Sequence, residues 1–303
     1  MPTILIAGGS GLIGSRLSHL LREQGHEVLH LSRRARPDAA FPSYRWSPAA
    51  SSIDDEAVLR ADYVINLAGA GIADKPWTAA RKQLIIDSRV DSARTLSAAF
   101  ERLQHYPKAY ISGAAVGYYG DRGDEWMDEN SAPGEGFLPE SCMAWEKAIG
   151  EAGRPGLRKV AIRIGIVLST QGGAMEKILL PFRFRVGTYF GDGSQWYSWI
   201  HIDDLCRIFI KAVEDDSMQG TYNGVAPNPA TNKELTEAIK EALGNSGLLA
   251  PVPAFALRLA MGEMADVVLD STRVRSGKIE AAGFQFSFPT LEKALPDLLR
   301  RKV

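Results

Sequence analysis

Through the first half of the chain, short apolar runs alternate with segments in which hydrophobic residues return at helical spacing. The runs Thr3 to Ala7, Glu27 to Leu31, Tyr63 to Leu67, Lys108 to Ser112 and Lys159 to Ile164 have the length of buried strands. Between the first two, Leu12, Ile13, Leu17, Leu20 and Leu21 fall on one helical face, and Gly25 supplies a C-terminal stop. Longer helices are predicted over about 79–103 and 140–152. Strands that alternate with helices point to a parallel sheet covered on both faces, the doubly wound α/β (Rossmann) arrangement.

Beyond residue 165 the pattern loosens, with Gly and Pro punctuating GGAMEKILLPF, VGTYFGDGS and GVAPNPATN. Helical spacing returns from Asp203 to Glu214, from Lys233 to Leu243 and from Leu291 to Arg300. Thr231 and Glu234 are spaced as a capping box for the second of these. No tandem repeat or linker marks off an independent second domain, so the second half is expected to fold back over the first as a smaller C-terminal lobe.

Composition changes this picture little. The chain has 303 residues, 45% hydrophobic and 23% charged, with a formal net charge of −1. That length suits one large core with a satellite, and that balance gives no general attraction to nucleic acid or to an anionic membrane. MPTILIAGG at the N-terminus lacks a basic region and has too short an apolar stretch for a signal peptide. No run of about 18 apolar residues follows, so no membrane span is expected. Two cysteines, Cys142 and Cys206, make no disulfide framework, and a cytoplasmic location is expected. No metal site is expected.

The chemistry begins at ILIAGGSGLIGSRL, where Gly8, Gly11 and Gly14 stand between a strand and a helix. Glycine there permits a tight turn, close approach to a pyrophosphate and close packing of helix on sheet. The backbone amides of Ser10 to Ile13 are expected to face the phosphates at the helix N-terminus. The second strand ends HLSRRARP, where an NAD site offers an acid to the ribose. Ser32, Arg33 and Arg34 offer a hydroxyl and two guanidinium groups instead, which suit a 2′-phosphate, so the predicted cofactor is NADP(H). In INLAGAGI, the small residues Ala68 and Gly69 beside Leu67 would let a cofactor approach the carboxyl end of the third predicted strand.

These residues resemble the extended short-chain dehydrogenase/reductases, the superfamily of nucleotide-sugar epimerases and dehydratases. The likeness continues through SGAAVGYYGD, RIGIVL, GDGSQWYSWIHIDDL, TYNGVAP, DSTRV and AAGFQF. LAGAGI, SRV, GYYG, CxxWE and SWIHxDDL resemble an atypical epimerase-like group within it. The resemblance implies a Rossmann domain from residues 1–165 plus about 197–224, and a small lobe from about 166–196 plus 225–303 that receives the substrate. It implies Gly8, Ser10, Gly11, Leu12 and Ile13 at the pyrophosphate, Ser32 and Arg33 at the 2′-phosphate, and Leu67 and Ala68 beside the ribose. It also implies Arg89 facing the cofactor and Val167 near the nicotinamide. The substrate class it implies is a nucleotide sugar or another small carbonyl or alcohol, and the assembly a homodimer.

One stretch departs from the superfamily. Active members use a tyrosine as general acid or base, a lysine four residues on that lowers its pKa and holds the ribose, and a serine or threonine that binds the substrate oxygen. Here the serine position falls at Gly113 or Ala114, with Ser112 expected on the other face of its strand. The tyrosine position falls at Cys142 and the lysine position at Glu146; Lys147 is displaced about 100° round the helix. A reactive thiol needs a positive neighbour, and Glu146 supplies the opposite charge. Cys142 and Trp145 are therefore expected to pack, while Glu146 either caps, faces solvent or accepts hydrogen bonds from the ribose. Tyr118, Tyr119 and His201 are the other proton-transfer candidates, each with a structural alternative: the tyrosines as lining of a turn, His201 as a buried strand residue. Trp196, Trp199 and Arg183 could shape a pocket, and Arg273 and Arg275 could bind phosphate. The catalytic residues stay open, between an NADP-dependent oxidoreductase or epimerase and an NADP(H)-binding sensor without chemistry.

Overall fold

The computed structural model describes residues 1–244 and 247–300. Its main sheet contains β1 (Thr3–Ala7), β2 (Glu27–Ser32), β3 (Ser43–Ser47), β4 (Ser52–Ile53), β5 (Tyr63–Asn66), β6 (Ala109–Ala115), β7 (Arg158–Ile164) and β8 (Gly220–Gly224). Their spatial order is β8-β7-β6-β5-β1-β2-β3-β4, parallel throughout except for the antiparallel β3–β4 edge. The chain runs outward from β1 to one side and then crosses back to β5 on the other. This leaves a crevice between β1 and β5 at their carboxyl ends, where open α/β sheets take ligands.

Side-chain alternation along β1 divides the molecule into two layers. Ile4 and Ile6 pack in one core with Leu17 and Leu21 of helix α1 (Leu12–Glu23), and Leu5 and Ala7 pack in the other. The second core holds Leu96 and Phe100 of α2 (Ala79–Leu103) and Trp145 and Ile149 of α3 (Phe137–Glu151). Burial on both faces is why β1 reads as an unbroken apolar run. Helix α4 (Ile202–Glu214) lies beside α1, joined to it by Arg16 and Asp203 at 2.7 and 3.0 Å.

The five predicted strands and the helix over 79–103 are present. β6 runs three residues beyond its expected end, and α3 starts three residues early, at Phe137. The edge strands β3 and β4 were not expected, because SYRWS is short and polar and one of its sides faces water. The capping box exists: Thr231 Oγ1 accepts from the Glu234 amide at 3.2 Å, and the Glu234 carboxylate accepts from the Thr231 amide at 2.7 Å.

Beyond β7 the chain makes short two-stranded pieces. Ile166–Leu168 pairs with Trp199–His201, Val186–Phe190 with Leu248–Val252, and Arg273–Val274 with Trp126–Met127. Leu168, Met175, Phe182, Trp199 and Leu295 from this half share one continuous core with Ile4 and Leu17. Residues 245–246 and 301–303 of the expected small lobe lie outside the described residues.

Candidate functional site

The loop between β1 and α1 is shaped by close backbone approach. Gly8 has φ +81°, and a Cβ there would stand 2.8 Å from the main-chain carbon and oxygen of Leu67. A Cβ on Gly14 would stand 2.3 Å from the Gly8 carbonyl oxygen. The glycines thus let the loop, the end of β5 and the first turn of α1 close on one another. Of the amides expected to face the phosphates, that of Gly11 donates to the Gly8 carbonyl at 3.0 Å within the turn. The amide of Ser10 and those of Leu12 and Ile13, in the first helical turn, are the donors available to an anion.

Beside this loop lies a cavity of about 860 Å³, lined among others by Gly9, Ser10, Ser32, Arg33, Arg34 and Arg36. Among the described residues none of these three guanidinium groups is paired with a carboxylate. His30 forms part of the wall, packed against Gly9, stacked on Phe41 at 5.1 Å and hydrogen-bonded to Ser18 at 2.7 Å. Burial pushes its pKa down to about 4, so the imidazole is neutral near pH 7 and the cavity's positive charge belongs to the arginines. Arg36 was legible in the RRAR run, whereas no local signal marks Phe41, which a loop carries back onto His30.

At the end of β5 the Asn66 side chain accepts from the Ala68 amide at 3.1 Å and donates to Ser92 and Tyr110, which fixes the turn carrying Leu67 and Ala68. Arg89 reaches from α2 across Gly69, donates to the carbonyls of Ala70 (3.1 Å) and Ile85 (2.9 Å), and lies 4.9 Å over the Trp145 ring. Gly8, Ser10, Gly11, Leu12, Ile13, Ser32, Arg33, Leu67, Ala68 and Arg89 therefore line the carboxyl ends of β1, β2 and β5. Val167 lies further along that edge, in the short strand that follows β7.

The departure at Cys142 and Glu146 has a three-dimensional explanation that the spacing did not show. Each Glu146 oxygen accepts a hydrogen bond from Arg163 of β7, at 2.7 and 2.8 Å, so Glu146 neither caps the helix nor points out to solvent but faces a buried cation. Arg163 is 3% exposed, and its third nitrogen donates to the Tyr119 hydroxyl at 2.9 Å. That hydroxyl donates to Asn223 on β8 at 2.7 Å. Burial opposes the charge on Arg163, but the hydrogen bonds and charge of Glu146 outweigh it and hold the guanidinium firmly protonated. An arginine inside the apolar run RIGIVL was itself a sign that a buried partner was needed. The half-buried Tyr118 has the same guanidinium over its ring, with 3.6 Å between ring centre and cation, and its hydroxyl is not part of the network.

Cys142 packs as expected: it is 5% exposed, and burial, followed by the charge of Glu146, pushes its thiol up to about 12. Ser112 is buried, bonded to the carbonyls of Asn66 and Gly113. Tyr119 is buried, and burial above all raises its phenol to about 12. His201 caps α4 by accepting from the Asp203 amide at 3.1 Å, contacts Asp297 at 3.2 Å and stacks on Phe288. Trp199 is a core residue and not a pocket wall, its indole bonded to the Asn228 carbonyl. Trp196 and Trp126 hold Arg273 between them at 3.8 and 4.1 Å, with Arg275 over Trp126 at 4.8 Å. Arg183 lines a small separate cavity with Thr170, Gln171 and Glu176. Among the described residues no group of three or more His, Cys, Asp or Glu could hold a metal ion, and no helix is long and apolar enough to cross a membrane.

Comparison with known proteins points the same way. Residues 4–223 match the NAD dependent epimerase/dehydratase family, and residues 252–298 match a domain of unknown function, DUF1731. The epimerase family protein ML0860 of Mycobacterium leprae is 37% identical over 96% of this chain and 94% of its own. The human epimerase family protein SDR39U1 (isoform2), solved with NADPH, is 33% identical with a TM-score of 0.89, covering 98% of this chain and 99% of that one. A UDP-glucuronic acid 4-epimerase from Bacillus cereus, solved with UDP-glucuronic acid and NAD, shares the fold alone: TM-score 0.79 at 17% identity over 99% and 100% of the two chains.

Proposed function

The chain belongs to the NAD dependent epimerase/dehydratase family, and from that premise we propose that it binds NADP(H) and acts as an epimerase-like oxidoreductase on a small carbonyl or alcohol substrate, with nucleotide sugars the favoured class. The observation that carries this reading is the cavity in which Ser32 and Arg33 meet the glycine loop with no carboxylate to compete. In the proposed arrangement Leu12 and Ile13 hold the diphosphate through their amides, with Gly8, Ser10 and Gly11 shaping the loop. Leu67 and Ala68 flank the ribose, Arg89 faces it across Gly69, and Val167 lies near the nicotinamide. Bound NADPH supplies a hydride donor. The segments about 166–196 and 225–303 receive the substrate in this reading; NADPH in the human relative and a nucleotide sugar in the B. cereus enzyme of the same fold support it. Two free, buried cysteines fit a cytoplasmic setting.

Proton transfer falls to Tyr118. Cys142 holds its proton too tightly, and Tyr119 and His201 are committed to buried hydrogen bonds. Tyr118 stands in the turn after β6 with its hydroxyl outside that network, and the Arg163 charge beneath its ring favours negative charge developing on a nearby substrate oxygen.

Fluorescence titration should show NADPH binding well ahead of NADH. Arg33→Ala should weaken NADPH about tenfold, the size of one charge-assisted contact, and leave NADH unchanged. Equal affinity for the two nucleotides in the wild-type protein would sink the cofactor assignment. Incubation with a metabolite extract should change the nicotinamide absorbance, and Tyr118→Phe should slow that change roughly a hundredfold; an unaltered rate removes Tyr118 from the chemistry.

A second reading, an NADP(H) sensor without chemistry, is favoured by one observation: the carboxylate at the lysine position is paired through both oxygens with the buried Arg163. It is supported if no extract alters the nicotinamide signal while NADPH protects amides beyond the cofactor cavity from hydrogen exchange.

A further inference from the structure

After Leu168 the chain crosses the carboxyl edge of the sheet. Gly172 and Gly173, with φ of 145° and 76°, bring it against the mouth of the glycine loop, where a Cβ on Gly173 would stand 3.1 Å from the Leu12 side chain. The short helix Ala174–Leu179 is held down by Met175 and Leu179 in the main core. From its other end Lys177 donates to the Ala73 carbonyl at 3.1 Å. Ala73 lies in the loop that leaves β5, whose preceding carbonyls are also tied: Ala70 by Arg89, Gly71 by Arg81 and Ile72 by Trp77. One span therefore touches both walls of the crevice, the loop after β1 and the loop after β5.

We propose that Lys177 is a cofactor-binding residue whose ammonium contacts the nicotinamide-side phosphate of the NADP(H) diphosphate, clamping it from above while the Leu12 and Ile13 amides hold it from below. The proposal rests on the NADP(H) reading. The diphosphate brings two negative charges to a loop that offers amides and the Ser10 hydroxyl but no cation. Arg16, in the same stretch of α1, is committed to Asp203 and cannot serve. Lys177 is exposed and not paired with a carboxylate among the described residues; its partner is a neutral carbonyl, which an anionic oxygen outcompetes. Its neighbour Glu176 lines the separate cavity that holds Arg183. Lys177 lies four positions after Gly173, which is at Leu12, a helical rise of about 6 Å, which the flexible lysine stem can cover.

The test is calorimetric titration of the wild-type protein, Lys177→Met and Lys177→Arg with NADPH and with adenosine 2′,5′-bisphosphate. The second ligand keeps the 2′-phosphate and the adenosine-side phosphate but lacks the nicotinamide-side one. Lys177→Met should weaken NADPH about tenfold and leave the bisphosphate unchanged, and Lys177→Arg should restore most of the loss. Equal weakening of both ligands, or of neither, overturns the proposal while the cofactor reading stands. If the wild-type protein binds neither ligand, the cofactor reading falls and takes the proposal with it.

Discussion

Replacing Glu146 with glutamine is expected to destabilise the fold by about 3–5 kcal/mol, the usual cost of stranding one member of a buried ion pair. The Arg163 side chain is 4% exposed, and Glu146 accepts two of its hydrogen bonds. A neutral amide leaves the guanidinium without a counter-charge in a place where water cannot replace it. The loss should spread along the network, because the same guanidinium orients the Tyr119 hydroxyl toward Asn223 and so ties β7, β8 and the turn after β6 together. The double variant Glu146→Gln/Arg163→Met should recover most of the stability, since removing both charges also removes the cost of burying them. Urea unfolding followed by tryptophan fluorescence measures both. A single variant within about 1 kcal/mol of wild type would show that the pair is not needed to hold this corner.

Gly14→Ala should lower NADPH affinity roughly a hundredfold, about 2.7 kcal/mol. Two effects of opposite sign compete. Alanine is the better helix former by about 1 kcal/mol, so helix propensity alone predicts stabilisation of α1. The added methyl, however, would meet the Gly8 carbonyl oxygen at 2.3 Å and the Gly9 Cα at 2.7 Å. Both are backbone atoms of the loop that would hold the diphosphate, so they cannot rotate away as a side chain would. Overpacking of this kind costs about 1–3 kcal/mol, and here it is relieved by moving the loop off the first turn of α1. Gly11→Ala should be milder, because its Cβ would meet a single atom at 3.3 Å. A Gly14→Ala protein that binds NADPH like wild type would mean the loop is not the phosphate site.

Much of the fold can be read in the sequence because it depends on local physics. The apolar runs of β1 and β5, the helix over 79–103, the capping box at Thr231 and the glycine spacing after β1 all report burial, helical period or close backbone approach within a few residues. The basic turn at Ser32 and Arg33 needed only the strand before it to be placed. Other features were hidden by a mixed or weak local signal, such as the polar edge strand β3 and the helix Ala254–Met261, in which no residue is buried.

The departure at Cys142 and Glu146 shows where local reading stops. Helical spacing correctly placed Glu146 one turn from Cys142 and gave the sign of its effect on the thiol. It could not say that Arg163 fills the space between them and Tyr118, nor that Tyr119 meets Asn223 across 104 residues of chain. Lys177 and Ala73 are likewise 104 residues apart. By itself the sequence determined the α/β class and the position of the glycine turn after β1, and it set Cys142 and Glu146 where the superfamily it resembles has its tyrosine and lysine. The tertiary structure decided what replaced them, because a buried charge takes its partner from whichever strand the sheet order places beside it, and that order is set by the packing of the whole core.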